Sequence, residues 1–128
     1  MSLRGFEIEI DRFIAEDVVG GVTKLQRVVA TGGLQKVNLK SPVDTGRFRG
    51  GWVVSVNSTR DDDPNRLDPS GALSLSEGLG VINKAPAFSE IYVQNNVEYA
   101  EALEDGHSGQ APEGILAISV AELETVFK

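Results

Sequence analysis

Cysteine is absent from the 128 residues, so neither a disulfide scaffold nor a thiolate metal site is available, which suits assembly in a reducing cytoplasm. Histidine occurs once, at His107, which leaves little for metal binding, and neither a metal nor a cofactor is expected. No apolar run approaches the roughly 20 residues needed to cross a bilayer, and the N-terminus lacks the apolar core of a signal peptide. These absences describe a soluble protein without membrane partners. Residues 1–128 fit one domain, and a chain of this length can bury most of its apolar surface without cross-links.

Charge is present but unevenly placed. The net charge is −7, yet residues 1–60 carry nine Lys or Arg against six Asp or Glu, net +3, while residues 61–128 carry three against thirteen, net −10. Such asymmetry reads either as a solvated surface or as head-to-tail attraction between copies, since opposite patches on one subunit favour an interface that closes into a ring. Nucleic-acid binding is disfavoured, because duplex affinity comes mainly from clustered Lys and Arg neutralising phosphates.

From Phe6 to about Leu39, the residues Ile10, Ile14, Val18, Val22, Leu25, Val29 and Val37 recur near one helical stripe, with Glu9, Asp17, Lys24, Arg27 and Lys36 elsewhere. Unbroken, this helix would run roughly 50 Å. Gly20-Gly21 and Gly32-Gly33 are places for a kink. Pro42 ends the helix near Lys40, and Asp44 is placed to cap a short turn through Phe48. Trp52 to Ser58 alternates as a half-buried strand, and residues 59–69 read as a mobile loop with almost nothing to bury. Leu75, Leu79 and Ile82 suit a helix over 70–84 despite three glycines. Phe88 to Gln94 has strand composition. Asn95 and Glu98 form a capping-box pattern for a brief helix that Gly106 ends in a left-handed turn. Pro112 suits the first turn of a last helix, whose stripe is Leu116, Val120, Leu123 and Phe127. The expected fold class is α+β: a small antiparallel sheet with packed helices and a long, kinked or continuous N-terminal helix.

Few residues invite chemistry. Asp105, His107 and Ser108 are the residue types of a hydrolase triad, but three such groups within four positions seldom converge, and no G-x-S-x-G turn presents a nucleophile. Asp61-Asp62-Asp63 with Asn65 and Asp68 lacks the glycine and distal glutamate of a calcium loop. Gly50-Gly51 after Arg47 and Arg49 lacks both phosphate-loop patterns, and backbone room for Trp52 explains it more plainly. Glu98, Glu101, Glu104 and Asp105 crowd one short helix, with Glu101 and Glu104 toward its unfavourable end, so Arg47 and Arg49 are the expected compensating partners. The preferred reading is therefore not an enzyme. A small hydrolase using Ser108 and His107, and a monomeric binding module, are the alternatives.

Two islands carry the strongest signal: residues Ser41 to Trp52, with the run Pro42-Val43-Asp44-Thr45-Gly46-Arg47 followed by Trp52, and residues Asn95 to Pro112, with Tyr99-Ala100, Leu103-Glu104, Gly106-His107-Ser108 and Gln110-Ala111-Pro112. In this order, they resemble the neck and tail-completion proteins of tailed bacteriophages. The resemblance implies a structural virion protein, assembled in the host cytoplasm, that forms a homo-oligomeric ring at the head-tail interface of the virion for tail attachment and genome passage, with a monomer as the alternative state of the free subunit. Other head-tail proteins are its implied partners. The structural and interface candidates are Asp44, Gly46, Arg47, Arg49, Trp52, Tyr99, Glu101, Glu104, Gly106 and Pro112. Trp52 and Tyr99 are expected to join the two islands in one core.

Overall fold

A computed structural model describes residues 6–8, 19–106, 109–110 and 114–126. Its elements in chain order are β1 (Phe6–Ile8), α1 (Val19–Lys40), α2 (Arg47–Gly50), β2 (Trp52–Val56), α3 (Ala72–Lys84), β3 (Ile91–Asn95), α4 (Ala100–Glu104) and α5 (Leu116–Val126). The fold is α+β. Three antiparallel strands lie in the order β1-β3-β2, with Trp52 opposite Asn95, Val54 opposite Val93 and Val56 opposite Ile91. Helices α1 and α3 pack together, α3 lies against β2, and α5 lies against α1.

The helix expected from Phe6 does not begin there. Phe6, Glu7 and Ile8 pair with Val93, Tyr92 and Ile91, occupying the edge of β3 that β2 leaves open. An apolar-polar-apolar triplet fits the two-residue period of a strand as well as it fits a helix, and the unpaired backbone of β3 decides between them. Ile10, Ile14 and Val18 lie outside the described residues.

α1 then runs 22 residues without a break and stops at Lys40, just before Pro42. Gly20 and Gly21 fall in its first turns, where few hydrogen bonds are at stake. Gly32 sits where Leu123 of α5 comes close, so that a Cβ there would lie 3.4 Å from Leu123 Cδ2. Close packing by α5 offsets a propensity cost of about 1 kcal/mol. The buried face of α1 carries Val22, Gln26, Ala30, Leu34 and Val37, whereas Leu25 and Val29 are half-buried.

Gly78 lets three elements converge. A Cβ there would approach Leu34 Cδ2 to 2.5 Å and Val54 Cγ2 to 2.9 Å, so α3 reaches α1 and β2 only because the side chain is missing. Around this contact Leu34, Trp52, Val54, Ile82, Ile91, Val93 and Ile115 form the fully buried core.

β2 spans Trp52–Val56, and its first three residues are all buried rather than alternating. Gln94, opposite Val53, explains this: its side chain accepts from Arg60 N at 2.7 Å and donates to Arg60 O at 3.0 Å, strapping the following loop across the second face of the sheet. Asn96 adds bonds to the Arg60 and Asp62 carbonyls. The 59–69 segment thus has something to bury. Asp68 is 3% exposed, and its carboxylate accepts from Leu73 N, Ser74 N and Ser74 Oγ at the start of α3.

The strand expected from Phe88 starts at Ile91 instead. Phe88 is in the left-handed region at φ 65° and 43% exposed, so it belongs to the turn before β3. Asn95 is the last residue of β3 and no helix cap. It donates from Nδ2 to Phe48 O at 2.8 Å and accepts from Val97 N at 3.1 Å, so the expected capping box with Glu98 is not formed. Gly106 does end α4 at φ 84°. Leu116 and Leu123 are buried and Val120 half-buried, as the last stripe requires. Pro112 and Phe127 lie outside the described residues.

Candidate functional site

The two islands meet. Val43 donates from its backbone N to Gln110 Oε1 at 2.9 Å, and Gln110 Nε2 donates back to Val43 O at 3.0 Å, so an amide side chain pairs with the first island as a strand would. Between them opens a cleft of about 430 Å³ whose walls include Pro42, Gly46, Arg47, Tyr99 and Leu103.

The first island begins where α1 leaves four carbonyls without helical partners. Ser41 Oγ donates to Val37 O at 2.6 Å and accepts from Trp52 Nε1 at 2.7 Å. Arg49 donates to Leu39 O, Ser41 O and Pro69 O, closing the same helix end and tying the loop to it. Asp44 is exposed and caps no helix among the described residues. Gly46 holds the cap position of α2 at φ 89°, without a side-chain bond. Glycine is needed there twice over: the backbone is left-handed, and a Cβ would run into the Pro69 backbone. Thr45 Oγ1 accepts from Arg47 N at 3.3 Å in place of the expected Asp44 cap.

Gly50 and Gly51 have a different reason from the one expected. A Cβ on Gly50 would lie 2.5 Å from Arg66 O, and one on Gly51 2.5 Å from Val97 Cγ2. The loop and the second island come so close that neither position has space for a side chain. Arg66 seals the contact by donating from Nε to Gly50 O at 2.6 Å and from Nη2 to Trp52 O at 3.0 Å.

Arg47 does not reach Glu101 or Glu104. Its guanidinium pairs with Asp63 at 2.8 Å, lies 3.8 Å from Glu98 and sits 5.8 Å from the Tyr99 ring centre. The hydrogen bond to Asp63 raises its pKa further above the ordinary arginine value. Burial pushes the Tyr99 phenol up, with Asp63, Asp44 and Glu98 adding to the rise and Arg47 opposing it. Glu104 has another task. Its carboxylate accepts from Ile115 N at 2.9 Å, Leu116 N at 2.7 Å and Ala117 N at 3.1 Å, meeting the positive end of α5. A donor-rich helix start outcompetes an arginine for that carboxylate because its amides have no other partners. Glu101 Oε1 is buried without a hydrogen-bond partner among the described residues, and the expected pairs of Arg47 or Arg49 with Glu101 or Glu104 are replaced by Arg47–Asp63, Arg47–Glu98 and the Glu104 clamp.

Trp52 is fully buried and Tyr99 is 38% exposed. They are linked through Phe48, whose ring is edge-on to Trp52 at 5.8 Å and tilted to Tyr99 at 6.3 Å. Trp52 is thus core, and Tyr99 is the rim of the cleft.

Of the hydrolase candidates, Asp105 is exposed, while His107 and Ser108 lie outside the described residues. Among the described residues no group of three or more His, Asp or Glu is arranged to hold a metal ion. In the acidic loop, Asp62 pairs with Arg60 at 2.6 Å and Asp63 with Arg47, so these carboxylates face cations of the chain itself. No helix among the described residues is long and apolar enough to cross a membrane.

Comparison with protein-family models, with curated proteins and with solved structures finds no match for the chain. Sequence reasoning missed Asn95 and Gln110 as the joints between the islands, and Ser41 as the tie between the end of α1 and Trp52. Each is a small polar residue beside a helix end or turn, where orphaned backbone groups need partners.

Proposed function

We propose that this protein is a structural subunit of a tailed bacteriophage, assembled in the host cytoplasm into a homo-oligomeric ring at the head-tail interface, where it joins other head-tail proteins and surrounds the passing genome. It works without catalysis, metal or cofactor. The observation that carries this reading is how the polar groups of the two islands are engaged. Ser41, Arg49, Asn95, Glu104 and Gln110 all bind backbone groups of the chain, so the islands serve to shape a rigid body rather than to aim groups at a substrate. The resemblance of the two ordered islands to neck and tail-completion proteins supplies the identity of that body.

Large apolar side chains left outside the core support assembly. On α1 alone, Val28 is 48% and Leu39 78% exposed. The test is negative-stain microscopy of concentrated protein together with its mass in solution. Closed rings of uniform diameter are expected; turnover of an ester or peptide substrate by a monomer, lost in Ser108→Ala, would overturn the proposal.

A further inference from the structure

α1 separates a protruding aromatic from an apolar groove. The turn before β3 is gripped from the core face of α1: fully buried Gln26 donates from Nε2 to Pro86 O at 2.8 Å and accepts from Ser89 N at 3.1 Å, while Ser89 Oγ closes onto Pro86 O at 2.6 Å. Held by these bonds, Phe88 stands 43% exposed at φ 65°, a conformation that disfavours a bulky residue. On the other side of α1, a groove of about 450 Å³ runs between α1 and α5, walled by Val28, Gln35 and Leu123 and floored by Gly32. Gln26 and Val28 are two residues apart, about 200° around the helix, so turn and groove face different sides of the molecule.

We propose that Phe88 of one copy seats in the α1–α5 groove of the next. The charges beside the two features match. Arg27 on the groove rim donates to Asn83 O and meets no carboxylate among the described residues, and exposed Lys24 lies one turn before Val28. Glu90, two residues after Phe88, accepts from Tyr92 Oη and meets no cation among the described residues. A knob and a socket on different sides of one subunit form a heterologous contact, which closes into a ring when the rotation allows. The contact rests on the ring proposal for its biological setting and names the surface between neighbouring copies.

Phe88→Gly provides the test, because glycine adopts this φ without strain and removes the knob. Its melting temperature should stay level or rise while self-association, followed by sedimentation over a concentration series, weakens at least about tenfold. Arg27→Glu and Glu90→Arg should each weaken association, and the double variant should recover it. Rings that persist in Phe88→Gly would overturn this contact and leave the ring proposal standing. Open chains that vanish in Phe88→Gly would do the reverse. A wild-type chain that stays monomeric throughout the series, or a double variant no better than the singles, would also overturn the contact.

Discussion

Trp52 and Ser41 share one hydrogen bond of 2.7 Å across the core, and Ser41 passes it on to the Val37 carbonyl at 2.6 Å. The end of α1 is thereby tied to the first residue of β2. Both residues are buried, so each group left unpaired would carry its full desolvation cost. Trp52→Ala should destabilise the chain by about 3–5 kcal/mol through the cavity it leaves. Ser41→Ala should cost about 1–3 kcal/mol by orphaning the indole N–H. Urea denaturation measures both, and an unchanged midpoint for either would show that the tie is not structural.

Asp68 makes stability depend on acid pH. Burial pushes its carboxyl up, but the Ser74 and Leu73 amides, the Ser74 hydroxyl and the Arg66 charge together hold its pKa below the ordinary 3.8. A depressed folded pKa contributes stability that is complete above the unfolded value and is lost as pH falls through the folded one. The melting temperature of the wild type should therefore drop below about pH 4. Asp68→Asn should be less stable at pH 7 and show a shallower drop. Identical slopes for the two proteins would remove Asp68 from the account. Asp62 and Glu122 are also shifted down, by the hydrogen bonds from Arg60 and Lys40, but they are solvated and add little.

Glu104 should act on α5 alone. Replacing it by Ala leaves the amides of Ile115, Leu116 and Ala117 without an acceptor, a loss of about 0.5–2 kcal/mol. Hydrogen exchange should speed up at those amides and remain unchanged in β2 and β3. Acceleration spread evenly over the chain would contradict a local clamp.

Two glycines should respond in opposite directions. Gly46→Ala forces a Cβ into a left-handed position against the Pro69 backbone and should cost more than about 1–2 kcal/mol. Gly80→Ala, within α3 and with open space around it, should stabilise by about 0.4–1 kcal/mol. Thermal melts of the two variants decide this, and equal shifts would mean that the Gly46 backbone relaxes freely.

The parts of the fold legible in the sequence are those set by local rules. Pro42 stopped α1 at Lys40, Gly106 ended α4, and the β-branched segments around Val54 and Val93 became paired strands. The strand at Phe6–Ile8 is not legible, because three residues hold too little periodicity to separate strand from helix, and only the open edge of β3 selects between them. At the cleft, turn residues marked where the chain bends but not which groups pair across it. Arg47 had several acids to choose from. It took Asp63, because the long loop is pulled inward by Asp68 and Gln94, and Glu104 went to α5. Such choices depend on contacts between residues far apart in the chain, which composition and spacing do not encode. Gln110 pairing with Val43, 67 residues away, is of the same kind.

The most direct measurement is electron microscopy of tailed particles that carry an epitope tag on this chain. The proposed role predicts label confined to the head-tail junction, in a fixed copy number per particle. Particles that assemble, join tails and deliver their genome with the chain absent from them would contradict it.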